Sequence, residues 1–221
     1  MYRPAAYAID DIALLHRVMR ERSFATIAAV VEGRLLFAYA PIAVDSEQEP
    51  RGTVRFHLAR SNPLAELDGT EVRLSFLGPD AYVSPDWYET KGFVPTWNYI
   101  AVEGAGCARR LDNLELRRLL VDISSIEEEK LRPKIPWTID KLGEERIAAL
   151  LNGIRGFAVT LETLEGKFKL SQDKTPANIA GVIAGLLSRG DPASFAMAKA
   201  MKEHRGMAAA PKSVIPPKQA V

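Results

Sequence analysis

The 221-residue chain contains few of the residues that build metal centres and disulfides. It has one cysteine, Cys107, and three histidines that lie far apart, His16, His57 and His204. A single cysteine excludes an intramolecular disulfide and any multi-cysteine zinc site. With so few soft ligands, we expect no dedicated transition-metal centre.

Long apolar runs and a dominant charge sign are also missing. Asp10 and Asp11 lie where the apolar core of a signal peptide would be. The longest apolar stretch, residues 24–31, is far shorter than the roughly 20 residues of a spanning helix. We therefore expect a cytoplasmic chain with no membrane partner. Lys and Arg (29) nearly balance Asp and Glu (28), which excludes a globally basic nucleic-acid surface but not a local patch.

The apolar pattern predicts more strands than helices. Residues 24–31 and 35–39 flank Glu32-Gly33, which is typical of a hairpin. Alternation with a period of two predicts further strands at 53–58, 71–77, 99–109 and 157–164, and we interpret Glu165-Gly166 as a tight turn into 167–170. Because strands and helices do not alternate regularly, a doubly wound sheet is not expected. The pattern favours a mainly β, mostly antiparallel barrel with peripheral helices.

Local signals place the helices around these strands. We expect helices after Asp10 or Asp11, after Asp112 (a capping box with Glu115), over 147–154, and after Thr175-Pro176 and Asp191-Pro192. The charged, proline-containing stretch 127–146 is interpreted as a connecting loop. We expect a barrel domain over 1–174 with inserted helices, a helical extension over 175–206, and an extended or mobile tail over 207–221.

Residues 78–98 form a segment rich in aromatic residues and turn formers. Such a segment either lines a ligand site or interface, or is a surface loop fixed by its aromatic residues. Gly104-x-Gly106 follows, but Arg109 occupies the third glycine position of a dinucleotide fingerprint, so that fingerprint fails. A bulge or a close backbone approach explains these glycines better.

Two polar clusters could bind an anion, whereas no set of residues forms a recognisable catalytic group. Ser84 lacks a nucleophile elbow, and nothing places His57 beside a serine or Cys107. Arg60, Ser61 and Asn62 follow a strand and suit a phosphate dianion. Near the other end of the chain, alternation puts the side chains of Lys167, Lys169 and Ser171 on one face. Gln172 follows directly after them. The alternative for these lysines is a solvated strand edge.

Several segments, in order over roughly residues 1–187, carry a family resemblance. They are Met1-Tyr-Arg-Pro, Ser23-Phe-Ala-Thr-Ile, His57-Leu-Ala-Arg-Ser-Asn-Pro, Gly78-Pro-Asp-Ala-Tyr-Val-Ser-Pro-Asp-Trp-Tyr, Val94-Pro-Thr-Trp-Asn-Tyr-Ile-Ala-Val, Leu164-Glu-Gly-Lys-Phe-Lys-Leu-Ser-Gln and Gly181-Val-Ile-Ala-Gly-Leu. With them the chain resembles the PaiB family of FMN-binding negative transcriptional regulators, a branch of the FMN-binding split-barrel group.

The resemblance implies a six-stranded antiparallel split β-barrel that forms homodimers and holds FMN at the subunit interface. From the matched motifs we expect the phosphate near Arg60, Ser61, Asn62, Lys167 and Lys169, with Ser171 and Gln172 close by. The flavin ring is expected near Thr96, Trp97 and Asn98. A dimer would also cover the aromatic residues Trp87, Tyr88, Trp97 and Tyr99.

The implied function is negative transcriptional regulation. Residues 192–221 hold five Lys or Arg and one Glu, which indicates either contact with the phosphates of DNA or only a solubilising C-terminal extension. One alternative is a flavin-dependent oxidoreductase, as many split barrels are. Another is a barrel that has lost its cofactor, because Ala38-Tyr39 and Glu103 stand where the family carries histidines. An enzyme is the less favoured interpretation.

Overall fold

The structure is a computed structural model that describes residues 1–48 and 50–209. Its strands are β1 (Ala8–Ile9), β2 (Phe24–Val31), β3 (Arg34–Asp45), β4 (Thr53–Ala59), β5 (Glu71–Val83), β6 (Thr96–Arg110), β7 (Ile154–Thr160) and β8 (Thr163–Lys169). Its α-helices are α1 (Ile12–Arg22), α2 (Asn113–Glu129), α3 (Glu144–Asn152), α4 (Pro176–Arg189) and α5 (Pro192–Ala209). Within these residues, no helix is both long and apolar enough to cross a bilayer.

The strands form one sheet that closes on itself. Its order is β1-β8-β6-β5-β2-β3-β4-β7, and β6 also pairs with β7. The strands β6, β5, β2, β3, β4 and β7 therefore form a closed ring, joined by antiparallel pairs such as β2–β3, β3–β4 and β4–β7. The predicted mainly β, six-stranded barrel is confirmed, and β8 and β1 extend the sheet beyond it.

Alternation along β4 separates the barrel core from its outer surface. Val54, Phe56 and Leu58 are buried, whereas Arg55 and His57 lie on the other side of the strand. Phe56 pairs across the sheet with Phe157, and their rings lie 5.6 Å apart. A register slip of one residue would turn both rings outward, so this pair helps to fix the register of β4 and β7.

The hairpin at Glu32-Gly33 is confirmed, but the turn predicted at Glu165-Gly166 is wrong. Glu32 and Gly33 have φ of 51° and 74°, which is typical of a two-residue type I′ turn. Glu165 and Gly166 instead lie inside β8, and the connection from β7 is at residues 161–162. Position 166 has little room for a side chain, since an added Cβ would lie 2.3 Å from Leu15 Cδ2. The glycine marks crowding rather than a turn.

Gly106 shows the close backbone approach that the sequence predicts. An added Cβ at this position in β6 would lie 2.1 Å from the backbone oxygen of Thr160 in β7. Such a distance cannot be relieved by moving a flexible side chain. Gly106 therefore allows β6 to approach β7 where the barrel closes.

Helix α2 covers part of the outer face of the barrel. Asp112 caps it and forms the predicted capping box with Glu115. Beyond it, Leu116 and Leu119 pack in a buried cluster with Ala43, Leu111 and Ala158. The loop predicted over 127–146 is partly wrong, because α2 continues to Glu129 and α3 begins at Glu144, while Ile154, expected in that helix, already belongs to β7.

The chain divides into two compact units that differ from the expected domain boundaries. One contains Met1–Gly78 and Ala101–Lys167, and the other contains Pro79–Ile100 and the chain from Phe168 onward. The aromatic segment thus belongs to the same unit as α4 and α5. Residues 207–209 of the expected tail extend α5, and residues 210–221 lie outside the described residues.

The aromatic segment contains more regular structure than the loop expected over residues 78–98. Strand β5 runs to Val83, a single 3₁₀ turn follows at Pro85–Trp87, and β6 begins at Thr96. In this second unit, Trp87 packs on two glycines of α4. A Cβ added to Gly181 would lie 2.1 Å from the backbone oxygen of Trp87. A Cβ added to Gly185 would lie 2.3 Å from the Trp87 ring.

We expect Gly185→Ala to lower the free energy of unfolding by about 1–3 kcal/mol, because the new methyl group overlaps the Trp87 ring. In an open helix the same change stabilises by roughly 1 kcal/mol, so the sign of the effect reports the packing. Gly206→Ala in α5 is the control, since an added Cβ there meets no described heavy atom within 4 Å. Denaturant unfolding measures both variants, and a stabilising Gly185→Ala would contradict this packing.

Candidate functional site

The predicted cluster at Arg60–Asn62 forms a tight loop directly after β4. The Asn62 amide donates to the Ala59 carbonyl at 2.9 Å, and the Arg60 amide donates to the Gly153 carbonyl at 2.9 Å. The Asn62 side-chain oxygen accepts from the Leu64 amide at 2.9 Å. Asn62 therefore shapes the turn with its own side chain, as asparagine commonly does.

The side chains of Arg60 and Ser61 on this turn are exposed. Across the described residues, neither side chain takes part in a hydrogen bond or an ion pair. Two consecutive residues of this loop thus present a guanidinium group and a hydroxyl group whose donors are available. This donor set suits a phosphate or another oxyanion.

His57 lies three residues before Arg60, on the outer side of β4 opposite Gly156 of β7. Its ring is half-buried, and its Nδ1 atom is buried without a hydrogen-bond partner in the part of the chain that the structure describes. Burial lowers the pKa of His57 below the usual value for histidine, so the ring is neutral near pH 7. The sequence could not indicate this feature of His57, because a missing partner is visible only in three dimensions.

Lys167 is buried rather than placed on a solvated strand edge. Its side chain is 9% exposed, and its ammonium group donates to the Tyr2 carbonyl at 3.1 Å. The same group lies 5.2 Å from the centre of the Tyr2 ring, which is a cation–π contact. For Lys167 the edge alternative is therefore wrong. The partner is 165 residues away in sequence, so alternation along β8 could not reveal it.

In the second unit, two hydrogen bonds join four of the predicted site residues in pairs. Lys169 donates to the Thr96 hydroxyl group. Asn98 is fully buried, and its amide donates to the Ser171 hydroxyl at 2.9 Å. The start of β6 is thus linked to the end of β8 and the residues that follow it. Asn98 contributes to the interior of this unit, because its side chain has no exposed surface.

The predicted alternation beyond Lys169 does not continue. β8 ends at Lys169, and Ser171 has a left-handed φ of 62°. Gln172 folds back, so that its side-chain oxygen accepts from the Leu170 amide at 2.7 Å and its amide donates to the Phe168 carbonyl. Lys167, Lys169 and Ser171 therefore do not belong to one extended face. The chain bends sharply at Ser171, between the end of β8 and the start of α4.

Trp97 offers an accessible aromatic surface in the second unit. It is 52% exposed and meets Tyr82 edge-on at 6.3 Å between ring centres. Tyr88, by contrast, is buried and packs against Phe93 at 4.6 Å. Of the predicted ring-binding residues, Trp97 thus has a free face, Thr96 is partly exposed, and Asn98 is buried.

Glu103 faces a cleft of about 180 Å³ on the outside of the first unit, which Thr26, Phe37 and Glu165 also line. The amino group of Met1 lies 3.4 Å from the Glu103 carboxylate and 3.0 Å from that of Glu165. The hydrogen bond that this amino group donates to Glu165 is the largest cause that raises its pKa, and the charge of Glu103 raises the pKa further. The carboxylates of Glu103 and Glu165 thus share the one positive charge of the Met1 amino group.

Among the described residues, no group of three or more His, Cys, Asp or Glu side chains could hold a metal ion.

Residues 1–163 match the model of a family described as "Putative FMN-binding domain". The chain is 29% identical to "Protease synthase and sporulation protein PAI 2" of Bacillus subtilis, over 92% of this chain and 97% of that protein. It is also 29% identical to an uncharacterized protein of Aspergillus fumigatus, over 94% and 98% of the two chains.

Two solved structures share the fold at low sequence identity. The FAD and heme binding protein of Mycobacterium smegmatis aligns with a TM-score of 0.52 and 15% identity, over 79% of each chain. The flavocytochrome Anf3 of Azotobacter vinelandii aligns with a TM-score of 0.50 and 14% identity, over 73% of this chain and 69% of that one. These likenesses confirm the split-barrel fold, and the sequence match makes the chain a PaiB-like member of the FMN-binding domain family, with FMN as its cofactor.

Proposed function

We propose that this protein is a regulatory flavoprotein that works as a homodimer and holds the FMN phosphate at Arg60 and Ser61. The observation that carries the proposal is the pair of exposed, unengaged donors on a loop whose backbone is already fixed. Because the loop is ordered by its own hydrogen bonds, an incoming phosphate meets donors that need little rearrangement.

The residues present fit FMN by the chemistry of their donors. Arg60 supplies a charge-assisted donor for the phosphate, and Ser61 supplies a neutral one. When bound, FMN supplies a redox-active ring that accepts one or two electrons.

The other predicted residues have supporting roles in this proposal. In the second unit, Trp97 presents an exposed aromatic surface of the kind that binds a flat ring, and Thr96 is partly exposed. Asn98, Ser171 and Gln172 hold the end of β8 and the start of β6 in place. The ammonium groups of Lys167 and Lys169 already bind atoms of the protein, so in this proposal neither is a donor for the phosphate.

The homodimer has a different basis from the one that the sequence indicated. Tyr88 is buried and Trp87 packs on α4, so neither needs a partner chain. The outer face of β2, β3 and β5 instead carries large apolar residues that are each 57–65% exposed: Phe24, Val30, Leu35, Phe37, Tyr39 and Leu77. Neighbouring apolar residues on one sheet face are typical of a protein interface. Two-fold self-association is the commonest way to cover such a face.

We therefore expect light scattering at micromolar concentration to give about twice the chain mass of 24.3 kDa. Phe37→Asp should shift the protein toward monomer, because two carboxylates would be buried at a two-fold interface. Val94→Asp is the matched control, since Val94 is 74% exposed but belongs to the second unit. A monomeric wild-type protein, or equal behaviour of the two variants, would contradict this interface.

A regulatory role is supported by the resemblance to the PaiB regulators and by the exposed basic residues of α5. Lys199, Lys202 and Arg205 are exposed along this helix. Evenly spaced cations of this kind can contact the phosphates of a nucleic acid. Both observations favour a regulatory binding role.

The regulatory role is tested by measuring transcripts in the organism that encodes the chain. If the protein is a repressor, a defined set of transcripts rises when its gene is deleted and falls when the wild-type gene is restored. A gene carrying Lys199→Ala, Lys202→Ala and Arg205→Ala should fail to restore repression, because the basic face is lost. Unchanged transcripts after deletion, together with rapid flavin reduction by NADH or NADPH, would instead indicate an oxidoreductase.

A further inference from the structure

Arg155 of β7 contacts the loop that carries the proposed phosphate donors. It pairs with Leu58 across β4 and β7, and residues opposite each other in a sheet project to the same side. Leu58 is buried, and Arg155 itself is only 15% exposed. Arg155 thus leaves β7 on the same side as the buried Phe157, two residues later.

The guanidinium group of Arg155 holds two consecutive residues of this loop. One nitrogen, Nη1, donates to the Ala65 carbonyl at 3.1 Å. The same nitrogen forms an ion pair with the Glu66 carboxylate. The Nε atom is buried and has no hydrogen-bond partner in residues 1–48 and 50–209. An arginine kept buried with an unused donor is costly, which indicates that its contacts to the loop matter.

Hydrogen bonds within the loop connect Ala65 to the segment that carries Arg60 and Ser61. The Ala65 amide donates to the Asn62 carbonyl at 2.8 Å, and the Asn62 side chain holds Leu64. Asn62 in turn donates to Ala59 at the end of β4. The loop is thus anchored at Ala59 on one side and at Ala65 on the other, with Arg60 and Ser61 between these points.

From these contacts we propose that Arg155 is a positioning residue for phosphate recognition. It does not touch the ligand but fixes the loop so that Arg60 and Ser61 point at the same oxyanion. The proposal rests on the proposed FMN site. Binding of the FMN phosphate, rather than binding of the flavin ring, then depends on Arg155.

The test compares FMN with riboflavin, which has the same ring and no phosphate. Titration by flavin fluorescence gives both affinities for the full chain. For Arg155→Gln we expect FMN affinity to fall about tenfold, because donors that are displaced by a fraction of an ångström lose much of their effect. Riboflavin affinity should change by less than about twofold, since no contact to the ring is altered.

Arg155→Lys keeps the charge but cannot present the planar guanidinium group. Its FMN affinity should therefore lie between those of the wild type and Arg155→Gln. It also carries the test if Arg155→Gln does not fold, which thermal unfolding will show. Arg117→Gln is the matched control, because Arg117 forms a similar ion pair with Glu144 on the helical side of the first unit. It should change neither affinity.

Each outcome separates the two proposals. Equal wild-type affinities for FMN and riboflavin would overturn the phosphate site itself, and with it the role of Arg155. If wild type prefers FMN but Arg155→Gln and Arg155→Lys lose both ligands equally, Arg155 has a packing role only. If neither variant changes the preference for FMN, the loop is fixed without Arg155 and the inference is wrong.

Discussion

The packing of Phe56 against Phe157 at the core of the barrel constrains much of the first unit. Side chains alternate along a strand, so burying Phe56 also buries Val54 and Leu58 and turns His57 outward. The same register places Arg155 opposite Leu58 and Gly156 opposite His57. Since β4 ends at Ala59, this register also sets where the chain leaves the sheet and forms the loop with Arg60 and Ser61. A slip of one residue would bury His57 and expose Phe56.

The parts of the fold that rest on local chemistry could be predicted from the sequence. The alternation of Val54, Phe56 and Leu58 indicates a strand without reference to any other segment, and Glu32-Gly33 can form only a few kinds of turn. Asp112 and Glu115 are likewise sufficient to begin α2. These signals lie within a few residues of the structure that they specify, so no long-range contact is needed to interpret them.

The errors arose where distant segments meet. Gly166 has the local signature of a turn, but its role is to make room for Leu15, which is 151 positions earlier in the chain. Lys167 has the signature of an exposed edge, yet Tyr2 covers it. In the candidate site, Arg60, Ser61 and Asn62 could be found because they are consecutive. Arg155 could not, because its contact with Ala65 spans 90 residues.

The central claim is that Arg60 binds the phosphate of FMN. The most direct measurement is the FMN affinity of Arg60→Ala beside that of Arg109→Ala, an exposed arginine that is already paired with Glu115. Loss of a charge-assisted contact should cost about 1.5–3 kcal/mol, which corresponds to roughly tenfold or more in affinity. We expect this loss for Arg60→Ala and an affinity close to wild type for Arg109→Ala. Equal affinities for the two variants would contradict the claim and place the phosphate elsewhere on the chain.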